Sequence, residues 1–425
     1  MTNRKWLARG IACAAIGALT FTALADKPTV GGAFSFEPIT GSAVVGSLPA
    51  NAPFKLPAGF SQEVVSDELG LFSDGLNIYT SVDWPDMTQS NETGKWSGRY
   101  LYRTHEVRPP PANPNGAVSV IDLETGEAKI LVQRADWEAL DGLKWTPWGT
   151  LLFAEETLAR QGVDPDYPLA EAGLLYEATL DPQDPSTATG VEARPALGSL
   201  SHEGIGIDSE GNVYVIDEFS AGGIYKFVPD RRGDLSEGQL YVLKVDDTSL
   251  VTNPDRVGPA KWIALDRDDV QIDAQAAAVS VGGTSYGRPE DVEIRSNVMY
   301  VAITSENRVL AIDLQGQNPV VSNFVKAGVN VPGGSSGLAN PDNLVFDAHG
   351  NLYVIEDNLP GDIWCAIPDD KNKDGYSDKV VLFASLSTPG SEPTGGYFGK
   401  DQHVMYINVQ HASTGNDMTI AISKD

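Results

Sequence analysis

The stretch "SHEGIGIDSEGNVYVIDE", residues 201–218, has the pattern of a β-hairpin with acidic residues at its open end. Two runs of alternating apolar residues are separated by the turn-forming residues 209–212. Glu203 lies near the start of the first run, and Asp217 and Glu218 end the second. Because a hairpin brings the start of one strand beside the end of the other, these carboxylates should lie close together.

Comparable hairpins recur along the chain. "DGLKWTPWGTLLFAEE" covers residues 141–156 and "DNLVFDAHGNLYVIED" covers residues 342–357. In all three hairpins, an acid of the first run precedes an acid of the second by fourteen residues. Variants with other turn lengths start at Glu290 and Glu392, and a copy with a long insertion would start at Asp74.

Repeats of this size with about four short strands each are typical of β-propeller blades. We therefore predict an all-β fold, a six-bladed β-propeller with an irregular first blade and insertions, the largest near residues 230–285. A pair of β-sandwiches is the alternative, but it does not explain the repeated pattern. The predicted domains are a signal peptide at 1–25, an N-terminal extension at 26–70 and the propeller at 71–425.

The composition, 41% hydrophobic and 21% charged, is that of an ordinary globular protein. The formal net charge of −28 argues against nucleic acid as a partner, because a phosphate-binding surface needs a basic excess. This charge suits an exported protein or one that holds cations. We expect a monomer.

The first 25 residues predict export to the periplasm or the extracellular space. Arg4, Lys5 and Arg9 precede an apolar run that ends in "ALA" at residues 23–25, the pattern of a cleaved signal peptide. The Sec and twin-arginine routes both remain open. No later segment has the roughly 18 apolar residues that a membrane-spanning helix needs. Removal of the signal leaves Cys365, which we expect in a buried strand.

The hairpin acids should surround one mouth of the propeller channel, because the first strand of each blade lines the channel and the second returns beside it. The starts of first strands carry Asp141, Glu203, Glu290, Asp342 and Glu392, and the ends of second strands carry Glu155, Glu156, Asp217, Glu218, Glu356 and Asp357. Crowded carboxylates repel one another, so a hard cation with oxygen ligands, calcium first, should lie among them. Taken singly, each acid could instead be a turn residue.

Several motifs resemble those of the PhoX family of bacterial alkaline phosphatases, in the same order along the chain. They are "YLYRTHE", "TPWGTLLFAEE", "SHEGIGID" with "VYVIDE", "GGIYKFVP", "GRPEDVE", "NPDNLVFD" with "LYVIED", and "SEPTGGYF" with "MYINVQ". The resemblance covers roughly residues 95–412. It implies a six-bladed propeller, export, and hydrolysis of small phosphate esters at a cluster of calcium and iron in the channel mouth.

The resemblance also implies roles for individual residues. Glu203 and Glu290 match iron-binding glutamates, and Arg288 matches an arginine that contacts the substrate phosphate, so these three form the expected catalytic set. A salt bridge to nearby acids is the other interpretation of Arg288. The expected metal ligands are Glu155, Glu156, Glu203, Asp217, Glu218, Glu290, Asp291, Asp342 and Glu356.

Ala154 departs from the family pattern, which has an iron-binding cysteine before the two glutamates. A thiolate is a soft ligand that suits iron, whereas the remaining candidate ligands are hard oxygens. We therefore expect calcium and argue against iron. We also expect position 154 to point at the metal cluster or to lie beside it.

Two further sets of residues have a possible role. The spacing of Asp370, Asn372, Asp374 and Asp378 resembles a calcium-binding loop, although Val381 occupies the position of the usual closing glutamate. His105 and His202 precede acids at strand ends and are interpreted as structural histidines or as proton donors to the site.

The function predicted from these features is a secreted, metal-dependent phosphoesterase of the alkaline phosphatase type. Two alternatives remain open. One is a lactonase-type hydrolase that uses a single calcium ion, and Arg288 argues against it. The other is a non-catalytic, calcium-stabilised binding module, which Ala154 favours.

Overall fold

The structure is a computed structural model that describes residues 30–68, 84–107, 116–158, 161–316, 318–334, 337–368 and 371–425. The expected signal peptide lies outside these residues, as do Asp74 and Asp370. The alternating apolar runs form strands, and the described chain contains 26 of them in five hydrogen-bonded sheets.

The N-terminal segment supplies two strands, β1 (Phe54–Lys55) and β2 (Phe60–Asp67). Two four-stranded antiparallel meanders follow. The first contains β3 (Pro85–Ser90), β4 (Tyr100–His105), β5 (Ala117–Asp122) and β6 (Ala128–Gln133). The second contains β7 (Leu140–Trp145), β8 (Leu151–Glu155), β9 (Leu175–Asp181) and β10 (Asp184–Ala193).

The next two meanders are joined into one nine-stranded sheet. One consists of β11 (His202–Ile207), β12 (Val213–Asp217), β13 (Ile224–Arg231) and β14 (Asp234–Val245). The other consists of β16 (Pro289–Arg295), β17 (Val298–Ile303), β18 (Arg308–Asp313) and β19 (Val320–Lys326). Between them, β15 (Gly258–Ala264) pairs with both β14 and β19. The insertion expected near residues 230–285 therefore bridges two neighbouring meanders.

The last two sheets include the N-terminal strands. One contains β20 (Pro341–Phe346), β21 (Leu352–Glu356), β22 (Asp362–Ile367) and β23 (Lys379–Leu386), with β1 beside β23. The other contains β24 (Glu392–Phe398), β25 (Val404–Gln410) and β26 (Met418–Lys424), with β2 beside β26. The segment expected as an N-terminal extension thus supplies strands to two sheets, and the expected boundary at residues 70–71 lies outside the described residues.

The innermost strands close a ring. In the described chain, contacts run from β3 to β7, β11, β16, β20, β24 and back to β3. Apolar clusters fill the spaces between neighbouring sheets, for example the cluster that joins Val345 and Tyr353 to Met405 and Ile420. This radial arrangement confirms the predicted all-β propeller class, and the described residues supply six innermost strands.

A helical segment, α1 (Val270–Ser280), packs against the nine-stranded sheet within the insertion. Its backbone is extended at Asp273, which interrupts the helix. The Asp273 carboxylate accepts the N–H of Ala276 at 2.8 Å and so caps the second part of the segment.

No helix in the described ranges has both the length and the apolar character that crossing a membrane requires. Cys365 is buried in β22, as expected.

Candidate functional site

The innermost hairpins share an irregularity near their open ends. In β7–β8, Leu140 pairs with Glu155 and Leu143 with Phe153, so that two residues, Asp141 and Gly142, face Ala154 alone. This is a β-bulge, which re-aims the side chain at its first position. The same register shift occurs in all six innermost hairpins of the described chain, and in five the first bulge residue is an acid: Asp86, Asp141, Glu203, Glu290 and Asp342.

The sixth hairpin has Gly395 at this position, and the geometry requires a glycine there. Its φ is 58°, and a Cβ atom would lie 1.9 Å from the carbonyl oxygen of Asp86. The N–H of Gly395 also donates to Oδ1 of Asn343 at 2.5 Å. The ring of bulges therefore closes by direct backbone approach between the sixth hairpin and the first.

Left-handed residues precede four of the innermost strands. Trp84, Ala139, Arg288 and Asn340 have φ values of 52°, 45°, 53° and 47°. Non-glycine residues adopt this conformation rarely and at a cost. Each lies two residues before a bulge acid, so the strained entry and the bulge together set the direction of the carboxylate.

The return strands add further polar side chains beside the bulge acids. In four hairpins of the described chain, the last paired residue is followed at once by an acid that lines the same cavity: Glu106 after His105, Glu156 after Glu155, Glu218 after Asp217, and Asp357 after Glu356.

The bulge acids and the acids that follow the return strands enclose a cavity of about 190 Å³. It is lined by Asp86, Glu106, Asp141, Glu156, Glu203, Glu218, Arg288, Glu290, Asp342, Asp357, Glu392, Gln410 and His411. Ten of these thirteen residues are carboxylic acids. The predicted gathering of carboxylates around one channel mouth is therefore present in the structure.

Three groups of carboxylates have ligand atoms within 4.8 Å of one another. They are Asp86 with Glu106 and Asp141, Asp141 with Glu156 and Glu203, and Glu203 with Glu218 and Glu290. Asp141 and Glu203 each belong to two groups, so the three groups form one continuous arc. Hard divalent cations prefer carboxylate oxygens as ligands, and an acid that belongs to two groups could serve both of them.

Positive charge would stabilise the carboxylates of this arc. Burial raises the pKa of Asp141, Glu203 and Glu290 well above the usual values, and neighbouring carboxylates raise it further. Oδ1 of Asp141 and Oε2 of Glu203 are buried and have no hydrogen-bond partner among the described residues. Buried acceptors of this kind need either a proton or a cation. The residues present thus fit a metal with oxygen ligands.

Arg288 supplies a positive side chain to the cavity. Its Nε donates to Oε1 of Glu218 at 2.6 Å, and its Nη2 lies 3.0 Å from Oε1 of Glu290. Burial opposes the charge, but the two carboxylates outweigh it and raise the arginine pKa. The side chain is 37% exposed, so its guanidinium lies at the rim while Glu290, 3% exposed, lies on the floor.

Glu155 and Glu356, both expected as metal ligands, bind protein groups away from the cavity. Glu155 accepts the N–H groups of Glu138 and Leu174 and the hydroxyl of Tyr176. Glu356 accepts the N–H of Ala339 at 2.9 Å and the indole N–H of Trp364 at 2.7 Å. In both hairpins the glutamate ties its own hairpin to neighbouring backbone.

Asp217 and Asp291, also expected as ligands, do not line the cavity either. Asp291 occupies the second position of its bulge, and its Oδ2 accepts the N–H of Leu344 on the next innermost strand at 2.8 Å. Burial raises the pKa of both aspartates to about 7. Alternation along the strand explains both placements, because their neighbours Glu218 and Glu290 point into the cavity.

Ala154 lies in an apolar cluster that includes Leu175, Leu200 and Ile205. It does not line the cavity, whereas we expected this position to face the metal cluster or lie beside it. The reason is the pleat of β8, which turns residue 154 toward the neighbouring sheet and leaves Glu156, beyond the strand, to reach the cavity.

The two histidines noted in the sequence are buried outside the cavity. His105 contacts Oγ of Ser119 through Nε2 at 2.8 Å. His202 contacts the carbonyl oxygen of Gly198 at 2.9 Å, and burial lowers its pKa to about 4, so it is neutral. Both contacts agree with the structural interpretation.

The sequence analysis missed four cavity residues: Asp86, Glu106, Gln410 and His411. Asp86 was not predicted because the first hairpin was expected to start at Asp74. In the structure, the described hairpin pairs Pro85 with His105. Gln410 ends β25, and Nε2 of its amide donates to Oδ2 of Asp86 at 3.0 Å. The available signal was the position of "QH" at the end of a return strand, equivalent to the acids of other hairpins.

The described part of the predicted calcium loop is exposed and lies apart from the cavity. Asp374 accepts the N–H of Tyr376 at 2.9 Å, and Asp378 accepts that of Lys371 at 2.6 Å. Calcium binding by Asn372, Asp374 and Asp378 stays a prediction.

Comparison with protein families matches residues 144–328 to the family described as alkaline phosphatase PhoX. The match supports a PhoX-type family member and confirms the resemblance seen in the motifs. The matched residues include Glu156, Glu203, Glu218, Arg288 and Glu290, which all line the cavity. No curated protein matches the chain at a significant level.

Solved structures with similar folds have low sequence identity to this chain. A putative phosphatase from Bacteroides thetaiotaomicron is 10% identical, with a TM-score of 0.47, over 81% of this chain and 72% of that one. A glucose dehydrogenase is 10% identical, with a TM-score of 0.45, over 85% and 99%. The β-propeller domain of Cps50 (Swd1) from Myceliophteria thermophila is 12% identical, with a TM-score of 0.42, over 80% and 98%.

Proposed function

We propose that this PhoX-type chain is an exported, metal-dependent phosphoesterase that hydrolyses small phosphate esters in the carboxylate cavity of its propeller. The observation that carries the proposal is the coexistence in one small cavity of three linked carboxylate groups and a rim arginine. Carboxylates alone would repel a phosphate ester, so the cavity accepts this substrate only when cations and Arg288 offset their charge.

The proposed metal-binding set is the arc itself: Asp86, Glu106, Asp141, Glu156, Glu203, Glu218 and Glu290. Asp342 lines the same cavity and adds a further, half-buried carboxylate. Because every atom of this set is a hard oxygen, we favour calcium over iron. When bound, such cations would polarise the phosphoryl oxygens and lower the pKa of an attacking water.

The protein groups would divide the remaining work. Arg288 would bind phosphate oxygens through its planar set of N–H donors, which match two oxygens at once. Glu218 and Glu290 hold that guanidinium at the rim, above the buried floor. The ring of bulge acids would orient the cations without needing to move, because each bulge is anchored in a hairpin.

The test is hydrolysis of 4-nitrophenyl phosphate by purified protein lacking residues 1–25, first stripped with a chelator and then given calcium, iron or magnesium separately. We expect hydrolysis to disappear on stripping and to return with calcium. Absence of hydrolysis with every metal, together with hydrolysis of a lactone, would favour the lactonase alternative. Export is tested by sequencing the N-terminus of the protein recovered from the periplasm or medium.

A further inference from the structure

One residue among those that line the cavity, His411, carries an imidazole, a side chain that enzymes commonly use to transfer protons. Among its lining residues, Arg288, Gln410 and His411 carry N–H groups and the other ten are carboxylic acids. Arginine keeps its proton at all ordinary pH values, and a glutamine amide is not an acid. Imidazole can both give and regain a proton in this range. His411 thus differs in kind from the rest of the lining.

His411 is held in a defined orientation. Its Nε2 lies 3.2 Å from Oε1 of Glu392, and its ring meets that of Trp84 edge to face at 4.6 Å. Its backbone N–H donates to Oδ2 of Asp417 at 3.1 Å, and its φ of 60° is left-handed. A non-glycine residue in this conformation carries strain that the surrounding contacts must offset.

The position of His411 complements that of Arg288. The two side chains are 35% and 37% exposed, which places both at the open rim. They come from the loops beside β25 and β16, on separate hairpins of the ring. Glu392, the partner of His411, belongs to none of the three carboxylate groups that form the metal-binding arc. The histidine can therefore act without displacing a proposed ligand.

We propose that His411 donates a proton to the leaving oxygen of the ester, an inference that rests on the proposed phosphoesterase function. Water attacks phosphorus as the bond between phosphorus and the ester oxygen breaks, and the electron pair of that bond stays on the ester oxygen. The imidazolium proton moves to this oxygen and gives the neutral alcohol. The proton lost by the attacking water returns to the ring through solvent, which its exposure permits.

This role makes the expected contribution of His411 depend on the leaving group of the ester. An alkoxide is a poor leaving group and gains most from protonation, whereas 4-nitrophenolate leaves readily without a proton. General acid catalysis of this kind contributes about 10²–10⁴-fold. The contribution should therefore be large for alkyl phosphates and small for activated aryl phosphates.

The test compares kcat/KM for ethyl phosphate, phenyl phosphate and 4-nitrophenyl phosphate in wild type and His411→Asn, because asparagine tolerates the left-handed backbone. We expect a loss of about 100-fold or more on ethyl phosphate and little change on 4-nitrophenyl phosphate. His403→Asn is the matched control, since His403 forms a similar 3.0 Å pair with Asp401 on the exposed surface. We expect it to match wild type on all three substrates.

An equal loss on all three esters, with an unchanged melting temperature, would show that His411 does not protonate the leaving oxygen and would overturn the inference alone. A wild type that hydrolyses none of them would overturn the proposed function as well. Glu392→Gln separates the two acids of the pair. If it alone loses activity selectively on ethyl phosphate while His411→Asn does not, Glu392 is the donor and the inference is wrong. If the His411→Asn variant does not fold, His411→Gln replaces it in the same comparison of the three esters.

Discussion

Asp141 and Glu203, the bulge acids of two neighbouring innermost hairpins, have carboxylate oxygens within 4.8 Å of each other and connect all three carboxylate groups of the cavity. Each is almost fully buried. Two carboxylates this close cannot both be charged without a cation or a shared proton. Without metal the pair therefore needs a shared proton, and in the proposed metal-bound form a cation would take its place. The following predictions depend on this relationship.

Removal of metal should destabilise the protein. A chelator is expected to lower the melting temperature by several degrees and added calcium to restore it, because a ligand at 100 times its Kd stabilises the folded state by about 2.7 kcal/mol per site. Differential scanning calorimetry checks this. An identical melting curve with and without chelator would contradict it.

Replacing Glu156 and replacing Glu155 should have different consequences, although the two residues are adjacent. Glu156→Gln removes a carboxylate from the arc and should weaken calcium binding, measured by calorimetric titration. Glu155→Gln should leave calcium affinity within about twofold and lower the free energy of unfolding instead, by about 1–3 kcal/mol, because Glu155 accepts buried N–H groups. Equal effects of the two changes on calcium affinity would refute the register described here.

Arg288→Lys should reduce kcat/KM for phosphate esters by on the order of 10²-fold, and Arg288→Ala at least as much. A lysine keeps the charge but cannot offer a planar pair of donors to two phosphate oxygens. Arg295→Lys is a control, because Arg295 lies outside the cavity and bonds the carbonyl oxygens of Asp347 and Ala348. Wild-type rates for both Arg288 variants would remove this residue from the substrate site.

Ala154→Cys should not create an iron site. Residue 154 packs among Leu175, Leu200 and Ile205 rather than in the cavity, so a thiol there would be buried in apolar surroundings. We expect unchanged iron content by elemental analysis and no reaction with a thiol reagent in the folded protein. A coloured variant with stoichiometric iron would contradict this placement.

The metal-free protein should lose stability as the pH rises from about 5 to about 8. Burial raises the pKa of Glu356 from 4.5 to about 8, so in this window the folded state holds a proton that the unfolded state has released. Stability falls with pH wherever the folded state binds more protons. Denaturant unfolding at several pH values measures the slope, and Glu356→Gln should reduce it. A free energy of unfolding that rises over this window would contradict the sign.

The repeated hairpin pattern was enough to predict the fold class and the end of the channel where carboxylates gather. Alternation of apolar and polar residues between two turns is a local property of the sequence. Because a propeller repeats the same local unit, one hairpin such as residues 201–218 predicts the structure of the others. The motif order also predicted the family, which the match over residues 144–328 supports.

Only the tertiary structure decided which member of each adjacent acidic pair enters the cavity. Glu156 and Glu218 line it whereas Glu155 and Asp217 do not, because successive side chains at the end of a return strand point to opposite sides and the packing of the hairpins fixes which side faces the channel. The same packing turned Ala154 into an apolar cluster. It also brought His411 to the rim, at the end of a return strand where several other hairpins carry acids. The amino-acid pattern specifies strands and their period, but the direction of a side chain at a strand end depends on bulges and on the backbones packed against it.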